Sequence, residues 1–366
     1  MLWFSVICLL PFSVCSVWTV LLLLDGRRTG WSSGRKELCC FSAVCTVLYF
    51  CHAAYFLDPP TGLTWGNVLY SGANLAVYPL FFLYLRSVAD LKGIRPADYL
   101  LLLPAIAVTI YATVVKTTGG PAENVLLCNK IMFPVLLVYV LIAGELLISG
   151  FNKAVRNFYA EAENKTMENL HLLFILLALT ALASTAANFI GREAFSGRML
   201  LAVPSVIFST LLFLIMYTAH NLQFSAKDLL LDIERSNARI NAVDETESKS
   251  SEIMERIDRI VSETKIYKQH GLSITDLAAL VGTNRTYASN AINQQLGMSF
   301  SDYINRLRVE ESKRILMSTE GKFVMSAVAE EAGFASEATF YRHFRNVEGK
   351  TPLEWFQALP ENNQAE

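Results

Sequence analysis

Residues 273–296 read SITDLAALVGTNRTYASNAINQQL, and the alternation of apolar, breaking and polar residues in this stretch sets the reading of the second half of the chain. Ser273 with Asp276 three residues on has the form of a capping pair that opens a short helix. Leu277, Ala278 and Val281 supply its apolar side, and Gly282 breaks it. A second helix starts near Asn284, with Tyr287, Ala291 and Ile292 expected to face inward. Helix, short glycine-containing turn, helix is the layout of a helix-turn-helix, whose second helix enters the major groove. A plain helical hairpin has the same periodicity, so the outward face has to separate the two. That face carries Arg285, Thr286, Ser289, Asn290, Asn293 and Gln294, and no acid occurs between Asp276 and Asp302. Amides pair with adenine edges and arginine with guanine or phosphate, while a face free of carboxylates does not repel a phosphate backbone.

The arrangement recurs in VMSAVAEEAGFASEATFYRHFRN, residues 324–346: a helix over 324–332, a turn at Gly333, and a second helix from Ser336 to Asn346. Phe340 and Phe344 stand four apart on its inner side, with Tyr341, Arg342 and Arg345 outward. Between the two units SFSDYINRLRVEESKRILMST, residues 299–319, reads as one long amphipathic helix. Two such units on one helix can address successive major-groove faces about one turn, ~34 Å, apart.

Residues 252–358 resemble the DNA-binding domain of AraC-type transcription regulators. The resemblance is carried by ITDLAALVG, GMSFSDYINRLRVEESKRIL, VMSAVAEEAGF, FYRHFRN and GKTPLEW in that order, over about 107 of the 366 residues. It implies two helix-turn-helix units joined by a linker helix, reading double-stranded promoter DNA. The family's base-reading positions fall on Arg285, Thr286, Ser289 and Asn290 in the first unit, and on Ala338, Tyr341 and Arg342 in the second, with Arg345 on phosphate. Two positions depart from the pattern. Ala288 stands where the family usually has a larger apolar residue, implying a looser first core, and residues 266–366 hold 10 Lys+Arg against 12 Asp+Glu, without the usual basic excess.

Working outward, composition divides the chain. Hydrophobic residues make up 53% and charged residues 17% of the whole, with a mean hydropathy of +0.35. Residues 1–221 hold 25 charges and residues 222–366 hold 39, so the first part suits lipid and the second water. This excludes a disordered chain, a collagen-like chain and a single soluble enzyme domain. The seven cysteines all precede residue 129 and read as small apolar fillers, without metal-ligand spacing or a disulfide framework.

Seven apolar stretches, near 3–24, 38–57, 65–85, 98–115, 128–150, 170–190 and 199–221, are long enough to span a bilayer. The first reads as a retained anchor, because Arg27 and Arg28 follow it in place of a small-residue cleavage site. Short connections after the first, third and fifth stretches carry 10 cations and those after the second, fourth and sixth carry 3. The positive-inside rule then puts the N-terminus outside and everything after residue 221 in the cytoplasm. Together with the resemblance this predicts a multi-pass protein of the bacterial inner membrane. Polar residues inside spans are costly, so His52, Asn74, Lys130, Glu145 and Asn188 are the candidates for sensing a small-molecule or membrane-protein signal, against an ordinary role in packing and snorkelling.

The expected class is therefore all-α: a seven-helix transmembrane domain (1–221), a helical connector (222–251), the DNA-binding domain (252–358) and a polar tail (359–366). A seven-residue apolar repeat from Ala226 leaves a homodimer contact through 226–243 open against no contact at all. The alternative function is a membrane receptor whose cytoplasmic domain docks a protein partner, motivated by the acidic balance. No nucleotide loop, zinc motif or paired intramembrane aspartates occur, so neither an enzyme nor a cofactor is expected.

Overall fold

A computed structural model of the chain describes residues 2–31, 34–57, 63–162, 165–190, 198–222, 225–240, 250–318 and 323–359. Among them the structure is helical throughout, apart from one isolated antiparallel bridge between Tyr159 and Ser273. The chain forms two compact units, Met1–Phe151 with Met167–Lys227, and Asn152–Thr166 with Asp228–Glu366.

The first unit is built from α1 (Leu2–Thr29), α2 (Arg35–Leu57), α3 (Trp65–Ala89), α4 (Leu103–Thr118, entered through a 3-10 turn at Pro96–Leu102), most of α5 (Ala122–Phe158), α6 (Glu168–Ile190) and α7 (Arg198–His220). Six of these, α1 to α5 and α7, are long and apolar enough to cross a membrane. The sixth expected span, 170–190, lies in α6, whose apolar part among the described residues is the shorter Glu168–Leu179. Helix α3 packs between α2 and α4 and buries Leu75, Phe81, Phe82 and Leu85 almost completely. The other helices turn large apolar side chains outward, among them Val135 at 65% and Leu146 at 70% exposure. An outer surface of this kind is stable in hydrocarbon and costly in water.

Inside this unit polar groups pair between helices. Thr19 Oγ1 lies 2.8 Å from Ser42 Oγ and 3.2 Å from Thr46 Oγ1, joining α1 to α2. Asn74 Nδ2 donates to Asn129 Oδ1 at 2.7 Å, and Asn129 Nδ2 donates to the Ser71 carbonyl at 2.9 Å. Such bonds substitute for the water that hydrocarbon lacks. All seven cysteines are free thiols.

Helix α5 departs from expectation. The fifth apolar stretch reads as 128–150, yet the helix runs from Ala122 to Phe158. Phe151, Val155 and Phe158, spaced by four and three, are buried at 3%, 0% and 3%, and this apolar stripe carries the helix past the end of the oily stretch. Its last seven residues belong to the second unit.

The second unit holds most of α8 (Ala226–Ile240), α9 (Ser250–Thr264), a 3-10 turn at Ile266–Lys268, α10 (Ile274–Val281), α11 (Arg285–Leu296), α12 (Phe300–Ser318), α13 (Met325–Glu331), α14 (Glu337–Glu348) and α15 (Pro352–Gln357). On α8 the repeat positions Ala226 and Leu229 are already buried by the chain, which leaves Ile233 half-buried. Residues 241–249, part of the connector, and the tail beyond Leu359 lie outside the described residues.

Helix α12 is the shared member of two small cores. Phe300 and Ile304 are fully buried near its start, while Val309 and Leu316 join Val328, Phe334, Phe340 and Phe344 in the second core. A solvated amphipathic helix would bury one stripe, but α12 also buries Arg308, Glu311 and Ser312, because it has neighbours on several sides. Glu311 is only 5% exposed and lies within 2.7 Å of Lys268 Nζ and 3.2 Å of Lys265 Nζ. It also pairs with Arg314 and accepts from the Tyr267 hydroxyl at 3.1 Å, so its burial is compensated. Tyr303 donates to Asp258 Oδ1 at 2.9 Å and ties α12 to α9; burial, with Asp258 beside it, pushes the phenol above its usual range.

Candidate DNA-binding surface

Each helix-turn-helix is assembled by local signals. Ser273 Oγ accepts from Asp276 N–H at 3.3 Å while the Asp276 carboxylate accepts from Ser273 N–H at 3.0 Å, which is the reciprocal capping box expected for α10. Gly282 ends α10 in the left-handed region, φ +68°, and Arg256 of α9 donates to the freed Val281 and Gly282 carbonyls. Asn284 then caps α11 by accepting from Tyr287 N–H at 2.9 Å. In the second unit Gly333 makes the turn at φ +96°, and Ser336 caps α14 by accepting from Thr339 N–H at 3.2 Å.

On α11 Ala291 and Ile292 face inward as expected, and Tyr287 does not. Tyr287 is 36% exposed, and the buried set is Ala288, Ala291 and Ile292. Helix α9 is the reason: α11 packs principally on it, and two fully buried alanines let the helix backbones approach. Ala288 thus lies fully inside the core of the first helix-turn-helix.

On the opposite side Thr286, Asn290 and Gln294 are exposed, and Ser289 and Asn293 are half-buried. Asn293 Nδ2 is turned inward along the helix, donating to the Ser289 carbonyl at 2.9 Å, with Ser289 Oγ 3.2 Å away. Arg285 is half-buried, with its guanidinium carbon 5.8 Å from the centroid of the Phe158 ring, and burial lowers its proton affinity. On α14 Ala338, Arg342 and Arg345 are exposed, whereas Tyr341 is half-buried, its ring 5.8 Å from that of Phe340. Burial and the nearby Glu337 raise the Tyr341 phenol. Phe340 and Phe344 are fully buried, as their spacing requires.

Four of the 12 carboxylates are engaged within the domain. Asp276, Asp302 and Glu354 are engaged at helix N-termini with Ser273, Ser299 and Thr351, and Glu311 is buried among cations. None of these four lies on α11, which has no acid, or on α14, where Glu337 is exposed.

Four of the five intramembrane candidates have described side chains. His52 lies among rings, 6.4 Å from those of Tyr49 and Tyr70; Asn74 is bonded to Asn129; Lys130 is exposed. Glu145 Oε2 is 2.6 Å from Nε2 of His171, a residue that sequence reading missed although it follows Glu168 at the start of an apolar helix. The Asn188 side chain lies outside the described residues. Sequence reading also missed Arg256, Arg308 and the segment at Phe158–Glu161; none carries a local pattern that marks it.

Comparison with known families bears on this C-terminal part. Residues 277–358 match the family described as "Helix-turn-helix domain". The match falls within the second compact unit. An uncharacterized HTH-type transcriptional regulator, YisR, of Bacillus subtilis is 35% identical over 83 residues, 23% of this chain and 28% of that protein. An uncharacterized HTH-type transcriptional regulator of Staphylococcus aureus is 25% identical over 114 residues, 30% of this chain and 15% of that protein. The matched regions thus span less than a third of either relative. No solved structure matches the chain.

Proposed function

We propose that the chain is a membrane-tethered transcription regulator of the AraC type, in which α11 and α14 enter successive major-groove faces of promoter DNA. The observation that carries this is the pairing of two capped recognition helices on the shared α12, each with a buried apolar side and an outward polar or cationic side. The helix-turn-helix match over residues 277–358 and the regulators similar to it support the same reading. Arg285, Thr286, Ser289, Asn290, Ala338, Tyr341 and Arg342 would face bases and Arg345 a phosphate. Asn293, with its amide turned along the helix, would position Ser289.

Seven spans with the N-terminus outside remain the proposed topology, supported by the six long apolar helices, the outward apolar side chains and the bias of short-loop cations. A cytoplasmic side for the DNA-binding domain is supported by its grouping with Asn152–Thr166, which carries Lys153, Arg156 and Lys165. Tethering would raise the effective concentration for a domain that lacks a basic excess.

The test is selection from a random duplex pool by the full-length chain in lipid nanodiscs at low salt. Recovery of a sequence motif that Arg342→Ala and Asn290→Ala no longer bind supports the reading. Recovery without sequence preference, together with capture of a stable protein partner, replaces it with the receptor reading.

A further inference from the structure

The segment Phe158–Glu161 is held by the helix-turn-helix unit at nearly every polar group it offers. Ala160 N–H donates to the Leu272 carbonyl at 2.9 Å, and Tyr159 bridges to Ser273 at the cap of α10. The Ala160 carbonyl accepts from Ser301 Oγ at 2.7 Å and from Asn305 Nδ2 at 3.1 Å, both on α12. Glu161 accepts from Gly271 N–H at 3.2 Å and from Arg308 Nη2 at 3.2 Å, while the Tyr159 hydroxyl donates to Asp232 of α8. Phe158 and Ala160 are buried, at 3% and 0% exposure. Three consecutive residues, Tyr159 to Glu161, thus engage α8, α12 and the entry to α10 through main-chain and side-chain bonds.

The same segment reaches the recognition helix. Arg285, the first residue of α11, lays its guanidinium over the Phe158 ring at 5.8 Å. A guanidinium attracted to that ring face is drawn back toward the protein. It is the cation best placed at the start of α11 to meet a guanine edge or a phosphate.

We propose that Phe158–Glu161 is an intramolecular clasp that parks Arg285 on Phe158, so that the first helix-turn-helix binds DNA weakly until the clasp is released. The inference rests on the DNA-binding reading above. Phe158 is the last residue of α5, and Glu168 begins α6 seven residues after Glu161. A displacement of either helix end is therefore delivered to the clasp through the chain itself. The ligand of the clasp is the DNA-binding domain, and duplex DNA is its competitor.

The experiment compares the full-length chain with Phe158→Leu, Glu161→Gln, Arg285→Ala and the Phe158→Leu/Arg285→Ala pair, in nanodiscs, on duplexes selected separately with each protein. Far-UV circular dichroism checks that each remains folded, and Glu161→Gln carries the test if Phe158→Leu does not. Release should raise duplex affinity about fivefold, the scale of one partly desolvated cation–ring contact. The gain from Phe158→Leu should vanish in the Arg285→Ala background. Equal or lower affinity on release, or a gain that survives without Arg285, overturns the clasp while leaving DNA binding in place. Failure of every protein, released variants included, to bind any duplex overturns the DNA-binding reading and the clasp with it.

Discussion

Glu161 Oε1 lies 3.2 Å from Nη2 of Arg308, an arginine with no exposed side-chain surface that also donates through Nε to the Tyr267 carbonyl at 2.6 Å and through Nη2 to that of Gln269 at 2.9 Å. The charge at the centre of the linker helix is therefore balanced by a residue more than a hundred positions earlier. Removing one partner of a buried pair leaves the other uncompensated. Because two carbonyls remain and Glu161 keeps some exposure, Glu161→Ala should cost about 2 kcal/mol, below the full buried-pair range. Native-state hydrogen exchange of α12 amides would read this as lost protection; unchanged protection would show that the carbonyls alone hold Arg308.

The turn of the second unit tolerates no side chain. Gly333 sits at φ +96°, and a Cβ there would lie 2.6 Å from the Lys268 Cα. Gly333→Ala should destabilise the domain by at least ~2 kcal/mol, combining backbone strain with a clash against main chain. Gly297, at φ +66° but facing open space, should cost only ~1 kcal/mol when changed to Ala. Chemical denaturation of the two variants should rank them in that order.

Ala288 offers the opposite test of size. If it is a close-packing residue, Ala288→Leu should overpack the contact with α9 and cost roughly 1–3 kcal/mol. Thermal unfolding would check this, and a stabilised variant would restore the looser core that its size first suggested.

Acid should loosen the C-terminal helix α15 first at its cap. The Glu354 carboxylate accepts from Thr351 N–H at 2.8 Å, and this bond holds its pKa below the ordinary carboxylate value. The folded value is depressed, so the contribution is full above the unfolded pKa, near ~4.3, and is lost as pH falls through the lower folded value. Glu354→Gln should remove that part of the pH dependence, as followed by Trp355 fluorescence between neutral pH and strong acid.

Much of the DNA-binding domain was legible because its elements are set locally. Ser273, Gly282, Ser336 and Gly333 act on their immediate neighbours, and the Phe340–Phe344 spacing needs only helix geometry. Where tertiary context decided, sequence reading slipped: Tyr287, read as inward, is exposed because α9 chose the side α11 packs on, and Arg308 went unremarked because its partner lies at Glu161. The membrane half was legible in bulk, from apolar length, but α5 outran its apolar stretch on a stripe of three residues. His52, Asn74, Lys130 and Glu145 could be picked out as costly, yet their partners are set by packing between helices, which no short spacing records.

Chromosome-wide mapping of DNA occupied by the full-length protein, crosslinked in living cells, tests the central claim most directly. Discrete sites are predicted, each with two short motifs about one helical turn apart, lost with Arg342→Ala while the protein stays in the membrane fraction. Occupancy indistinguishable from that of a membrane protein lacking residues 252–366 would contradict it.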